Sequence, residues 1–109
     1  MSAARLYHLV DRGAWASGRY EADRRDGFVH YSFAGQVAAT ANRHYPHVAE
    51  LLALEIDPAR LDCEMRVENG FPHGYGPLPA DAVVGTHPLR RDPGGRWEFS
   101  GSGRAAPGR

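Results

Sequence analysis

The sequence GFVHYS, residues 27–32, is the stretch from which we interpret the fold. Side chains alternate across a β-strand, so Phe28, His30 and Ser32 would lie on one face of a sheet. An imidazole and a hydroxyl group would then stand side by side on an ordered element. The stretch therefore predicts a strand over residues 28–32 whose polar side chains line a pocket.

Two other histidines lie in segments that could fold close to His30. His8 lies in the middle of the strand-like run LYHLV, residues 6–10, and His73 lies in a Pro- and Gly-rich segment, residues 70–78. An imidazole that titrates near neutral pH can bind a phosphate or a hydroxyl group, or transfer a proton. We therefore hypothesise that the three histidines converge on one pocket. The alternative is that each is a buried core residue with a hydrogen-bond partner.

The composition of the chain excludes several classes of function. Its 109 residues are enough for one domain, and its 13 basic and 13 acidic residues give a net charge of zero, which makes nucleic acid an unlikely partner. All the basic residues are arginine, so lysine Schiff-base chemistry and a P-loop lysine are excluded. Cys63 is the single cysteine, so the chain has no intramolecular disulfide. With no apolar segment of membrane-spanning length and no signal sequence, we expect a cytoplasmic protein without a membrane partner.

The hydrophobic pattern predicts a mixed α+β fold. Period-two or continuous apolar runs predict strands over residues 5–10, 28–32, 51–56, 63–68, 82–88 and 97–99, and wider spacing predicts two short helices, residues 12–17 and 34–45. The many glycines and prolines of residues 69–77 predict a rigid loop without regular structure. We expect one small α+β domain over residues 1–99, with a twisted and mostly antiparallel sheet. Residues 100–109 are predicted to form a flexible Gly, Ser and Arg tail.

Three further side chains are candidates for the same pocket. Glu68 could act as a general base or bind a ribose hydroxyl, although a solvated carboxylate paired with Arg66 is as good an interpretation. Tyr75 could stack on a flat ligand or simply anchor its loop. Ser32 could orient His30 or bind a ligand, and a nucleophilic role is disfavoured because no Gly-x-Ser-x-Gly elbow is present.

Two other interpretations of the histidines have little support. The tripeptide at residues 30–32 matches the His-x-Ser element of a two-histidine phosphoesterase, but such enzymes need a second copy and none is present. Three histidines could bind zinc with a water as the fourth ligand. The long sequence separations between these three histidines do not match the short spacing typical of metal ligands. Pro46 interrupts the closer pair, His44 and His47. We therefore predict no metal site.

Several motifs taken together resemble a known bacterial family, the domain-of-unknown-function 952 family. The segments that carry the resemblance are LYHLV (6–10), GFVHYS (27–32), Asn42, IDP (56–58) with Leu61, and FPHGYGPL (71–78). The resemblance covers roughly residues 5–89. It implies a fold similar to that of the ADP-ribosyltransferases, compact α+β domains that bind NAD in a cleft between two small sheets.

The resemblance also implies roles for individual residues. His8 would hold the NAD ribose, the backbone of Leu9 would meet the nicotinamide amide, and His30 and Ser32 would line the cleft. The transferases carry a catalytic glutamate on a late strand, commonly as Glu-x-Glu or Gln-x-Glu, whereas Glu68 here is followed by an asparagine.

Together these observations lead to one expected function and one alternative. We expect a small cytoplasmic enzyme that acts on NAD or a related nucleotide. Its catalytic residues would be His30, Glu68 and His73, its ligand-binding residues would be His8, Leu9, Ser32 and Tyr75, and NAD would be a substrate rather than a cofactor. The alternative is a non-catalytic binding module for a nucleotide or another small anionic metabolite, with the same pocket. A purely structural domain with packed histidines is the third interpretation.

Overall fold

The computed structural model describes residues 4–100 of the chain. In this part of the chain nine strands and two α-helices follow one another. They are β1 (Leu6–Asp11), α1 (Arg12–Ala16), β2 (Val29–His30), β3 (Ser32–Phe33), α2 (Val37–His44), β4 (Leu51–Ile56), β5 (Glu64–Glu68), β6 (Phe71–Tyr75), β7 (Val83–Pro88), β8 (Arg90–Arg91) and β9 (Trp97–Glu98). Every strand pairing among these residues is antiparallel, which confirms the predicted α+β class with mostly antiparallel sheets.

Sheet A, the larger of the two main sheets, has the strand order β3-β1-β4-β7. Its central strand β4 is the nearly continuous apolar run LLALEI, residues 51–56, as its sequence predicts for a strand covered on both faces. Strand β1 runs antiparallel to β4 over its whole length, from the pair Leu6 and Ile56 to the pair Asp11 and Leu51. The sheet therefore needs a second layer on each side.

Two hydrophobic clusters supply those layers. One face of sheet A packs against sheet B, whose strand order is β2-β6-β5, and buries one set of side chains: Leu6, Val10, Val29, Tyr31, Leu52, Leu54, Ile56 and Ala82. The other face packs against α2 and the β8-β9 hairpin and buries a second set: Tyr7, Leu9, Val37, Ala41, Leu51, Ala53, Leu89 and Trp97. Successive residues of β1 and β4 alternate between the two sets, as the pleat of a strand requires.

The predicted second helix is confirmed, and it holds the hairpin in place. A 3-10 turn, Ala34–Gln36, leads into α2, which buries Val37 and Ala41. The Asn42 side chain on α2 accepts a hydrogen bond from the Trp97 backbone N–H at 2.7 Å and donates one to the Trp97 carbonyl at 3.1 Å. Asn42 therefore acts like a neighbouring strand for the first residue of β9.

We expect Asn42→Ala to lower the free energy of unfolding by about 1–3 kcal/mol, because it leaves two partly buried backbone groups of Trp97 without partners. Equilibrium unfolding in urea measures this loss. Arg43→Ala, on the exposed side of the same helix, is the matched control and is expected to change the stability little. Equal stabilities of the two variants would contradict the role of Asn42.

The single strand predicted over residues 28–32 is wrong, because the chain passes from one sheet to the other at Tyr31. Val29 and His30 pair with β6 in sheet B, whereas Ser32 pairs with Tyr7 in sheet A. Between them the Tyr31 backbone N–H donates to the carbonyl of Pro72. His30 and Ser32 therefore belong to different sheets and do not share a face.

The irregular loop predicted over residues 69–77 is also wrong, since β6 is the central strand of sheet B. The turn is confined to Asn69 and Gly70, whose φ angles of 53° and 84° suit a tight hairpin connection between β5 and β6. Residue 74, within the strand, is a glycine because a Cβ there would come 2.8 Å from the Tyr31 ring. Gly74 therefore allows the Tyr31 side chain to approach the backbone of β6 closely, and it does not mark a loop.

The alternation of residues 63–68 predicts that Cys63, Met65 and Val67 face inward, and this prediction is correct only in part. Cys63 and Met65 are partly buried, but Val67 is 63% exposed, because it lies next to the hairpin end of sheet B. Of the predicted tail, only Ser100 falls within the described residues. None of the helices in residues 4–100 has the length and apolar character needed to cross a bilayer.

Candidate functional site

The outer face of sheet B brings together four of the seven predicted site residues. His30 on β2 lies directly opposite His73 on β6, and the two ring centroids are 5.5 Å apart. Phe28 stacks on His73 with a centroid distance of 3.9 Å and an interplanar angle of 17°. We call Phe28, His30, Glu68, His73 and Tyr75 the histidine face.

Each imidazole of the histidine face is held by its own carboxylate. Nδ1 of His73 lies 2.7 Å from Oε1 of Glu68, and Nε2 of His30 lies 3.0 Å from Oδ2 of Asp26. These contacts use one nitrogen of each ring and leave Nε2 of His73 and Nδ1 of His30 for a ligand. The His73 side chain is 12% exposed and that of His30 is 59% exposed, so one ring is rigidly packed and the other is open to solvent.

Glu68 is the centre of a small hydrogen-bond network. Its Oε1 accepts a hydrogen bond from the Tyr75 hydroxyl at 2.6 Å as well as the contact from His73. These two donors, Tyr75 first and His73 second, lower the pKa of Glu68, and the same carboxylate raises the pKa of Tyr75. The Arg66 guanidinium lies 4.7 Å from the centre of the Tyr75 ring on the neighbouring strand. Glu68 is therefore a stable anion that orients His73.

A cavity of about 280 Å³ lies beside His30. Asp23, Arg25, Asp26 and His30 line it. The Arg25 guanidinium contacts Asp23 at 2.7 Å, and this ion pair raises the pKa of Arg25 and lowers that of Asp23. The polar segment before β2 thus forms a lip beside the histidine face. Asp26, the partner of His30, is not among the residues that the sequence predicts for the site. Its spacing of four residues from His30 was the available signal.

His8 does not share this site. It lies between the two sheets with 7% of its surface exposed, and Nδ1 donates to the His30 carbonyl at 2.8 Å while Nε2 accepts from the Tyr20 hydroxyl at 2.6 Å. Burial lowers its pKa, so the ring stays neutral. The hypothesis that His8, His30 and His73 converge on one pocket is therefore wrong. The hydrogen bond between His8 and His30 is made by the backbone carbonyl of His30 and not by its ring.

The other two predicted binding residues also lie in the interior. Leu9 is buried on the α2 side of sheet A, and its pleat position is opposite to that of His8. Ser32 is buried as well, and its hydroxyl donates to Oγ1 of Thr40 on α2 at 3.3 Å. Within residues 4–100, no three His, Cys, Asp or Glu side chains group closely enough to hold a metal ion.

Comparison with known proteins identifies the family. Residues 8–86 match the sequence profile described as "Protein of unknown function (DUF952)". The chain belongs to the DUF952 family. The match spans β1 to most of β7, so it includes both main sheets and every residue of the histidine face.

Two solved structures of one protein have a fold similar to that of this chain. The crystal structure of protein CC0527 from Caulobacter crescentus has 29% identity and a TM-score of 0.71, with 87% of this chain and 94% of that chain covered. The solution NMR structure of CC0527 has 30% identity and a TM-score of 0.67, with 84% and 90% covered. No curated protein matches significantly. These comparisons establish the family and its fold, and a fold alone does not define a reaction.

Proposed function

We propose that the chain is a small enzyme that acts on NAD or a related nucleotide through acid–base chemistry on the histidine face. The observation that carries the proposal is the pair of imidazoles, 5.5 Å apart, each held by a separate carboxylate. A structural histidine needs a partner but does not need a second oriented histidine beside it. Two such rings can accept a proton from an attacking group and donate one to a leaving group.

The residues of the histidine face would have different roles in this reaction. His73 is rigidly held by Glu68 and presents Nε2, so it would act as the base that activates a hydroxyl or a water. His30, presenting Nδ1, would bind a phosphate oxygen of the nucleotide. Nicotinamide leaves the ribose of NAD as a neutral molecule when the bonding electrons return to its ring nitrogen, so its departure needs no proton from His30. The rings of Phe28 and Tyr75, with centroids 5.3 Å apart, would contact the flat base of the nucleotide.

The resemblance to ADP-ribosyltransferases supports a nucleotide as the ligand, but we propose a different position for the nucleotide from the cleft between the sheets. Two small sheets packed together are the arrangement that this resemblance implies. Apolar side chains fill the space between the sheets, and the bond between His8 and Tyr20 lies among them. We therefore place the nucleotide on the outer face of sheet B and give His8 a positioning role behind His30, with Leu9 and Ser32 away from the ligand.

The network around Glu68 favours a second candidate function, a binding module for a nucleotide or another small anion. Because the Glu68 carboxylate already accepts hydrogen bonds from His73 and Tyr75, it is poorly placed to act as a base itself. In such a module the two imidazoles would only bind the anionic group, and Glu68 would keep His73 in place.

Isothermal titration of the chain with NAD, ADP-ribose and AMP tests both candidates. We expect His73→Gln and His30→Gln to weaken binding by about tenfold each, because each removes a charged or polar contact worth about 1–2 kcal/mol. His47→Gln, at an exposed position outside the face, is the matched control and is expected to bind like the wild type. No heat of binding with any of the three ligands at millimolar concentration would overturn both candidates.

Product analysis separates the enzyme from the binding module. If the chain is an enzyme, chromatography will show nicotinamide release from NAD, and His73→Gln will lower the rate by at least about 100-fold, as expected for the loss of a general base. Tight binding with no product over a day of incubation would reject the enzyme and leave the binding module.

A further inference from the structure

A second cavity, of about 390 Å³, lies away from the histidine face, at the end of sheet A beside the β8-β9 hairpin. Its volume falls within the range of small-molecule sites, roughly 300–1,000 Å³. The residues that line it combine both charges with an aromatic ring. They are His87, Pro88, Arg90, Glu98, Phe99 and Ser100.

His87, which lines this cavity, forms a fixed pair with a carboxylate. Nε2 of His87 lies 2.7 Å from Oε1 of Glu55, and Oε2 of Glu55 lies 3.2 Å from Nε of Arg5. Gly85 leaves the space for this pair, because a Cβ there would come 3.2 Å from the Glu55 carboxylate. The carboxylate therefore holds the His87 ring in one orientation and leaves Nδ1 for a ligand.

The lining of the cavity also includes an aromatic ring and a pair of opposite charges. The Phe99 ring is 6.1 Å from that of His87 and packs edge-on against Tyr7 at 5.1 Å. Arg90 and Glu98 are directly opposite each other in the hairpin, so their Cβ atoms are about 5 Å apart and their side chains present opposite charges next to each other.

We propose that this cavity binds a small zwitterion with a flat side chain, that is, an aromatic α-amino acid. Arg90 would bind its carboxylate and Glu98 its ammonium group, and the adjacent opposite charges on the hairpin match the two adjacent charges of an amino acid. The ring of the ligand would lie against Phe99, and Nδ1 of His87 would give or accept a further hydrogen bond. The site is separate from the histidine face and does not depend on the nucleotide proposal.

Three probes of equal shape and different charge test this proposal on the full chain. L-phenylalanine carries both charges, 3-phenylpropionate only the negative one and 2-phenylethylamine only the positive one. In a titration followed by amide chemical shifts, we expect L-phenylalanine to bind at least about fivefold more tightly than either analogue, since each charge contact contributes up to about 1 kcal/mol. The shifts should centre on residues 85–90 and 97–100.

Variants of Arg90 and Glu98 make the test specific. Arg90→Gln should remove the advantage of L-phenylalanine over 2-phenylethylamine, and Glu98→Gln should remove its advantage over 3-phenylpropionate. Arg96→Gln, on the same hairpin but outside the cavity, should leave all three affinities unchanged. The proposal is overturned if L-phenylalanine causes no shifts at millimolar concentration, if the three probes bind equally, or if the shifts lie on the histidine face instead.

Discussion

Replacing His8 by leucine will lower the free energy of unfolding by about 3 kcal/mol at neutral pH. The substitution keeps the apolar volume between the sheets but leaves the Tyr20 hydroxyl and the His30 carbonyl without their partner. A buried polar group that loses its partner costs about 1–3 kcal/mol. In a domain of this size, each kcal/mol lowers the melting temperature by about 4–8 °C.

The same variant will also lose part of the pH dependence of stability. Burial holds the pKa of His8 below its ordinary value of 6.5, so below that pH the unfolded chain binds a proton at this position that the folded chain does not. The contribution of neutral His8 to stability is therefore complete above about pH 6.5 and falls as the pH is lowered toward the pKa of the folded state. The stability difference between wild type and His8→Leu should shrink between about pH 7.5 and 5.5.

Urea unfolding at several pH values measures both effects, and His47→Leu at an exposed position is the control. A difference from wild type of less than about 1 kcal/mol at neutral pH, or one that is unchanged at pH 5.5, would contradict the structural role of His8. Because His8 supports the His30 carbonyl from inside the fold, we also expect His8→Leu to perturb the amide resonances of residues 28–31.

The sequence was sufficient to predict the two faces of β1 but not what each face packs against. Alternation in β1 correctly places His8 with Leu6 and Val10, yet the pattern is the same whether that face meets a cavity or a second sheet. In the same way, the alternating pattern of GFVHYS, residues 27–32, is compatible with one strand or with two. The chain divides into two strands at Tyr31 because its first part pairs with β6 and its second part pairs with β1. Long-range pairing supplied the information that the local pattern lacked.

The strand β6 was missed for a different reason. Glycine and proline are rare in strand interiors, so residues 71–76 have the composition of a loop. The dipeptide Asn69-Gly70 was the stronger signal, since it favours a two-residue hairpin turn between two strands. Even so, His30, His73, Glu68 and Tyr75 lie close together, because the hairpin brings together residues that are close in sequence and β2 adds to its edge.

Gly76→Ala will be among the most destabilising single-methyl additions in the chain, with an expected loss of about 2–3 kcal/mol. A Cβ at residue 76 would lie 2.5 Å from the Cβ of Cys63, which is close to the backbone and cannot rotate away. The end of β6 and the start of β5 would therefore have to separate, and overpacking of this kind typically costs about 1–3 kcal/mol. Gly35→Ala is the control, because a Cβ there meets no atom within 4 Å.

A double variant identifies the cause of that loss. Cys63→Gly removes the atom that a new methyl group at residue 76 would meet, so the combination of Cys63→Gly with Gly76→Ala should be more stable than the sum of the two single losses predicts. We expect a favourable coupling of at least about 1 kcal/mol in urea unfolding, within the range found for residues in contact. Additive losses would show that the close approach of residue 76 to Cys63 is not the cause of the destabilisation. A favourable coupling would instead establish that Gly76 allows the chain just after β6 to pack closely against Cys63, just before β5.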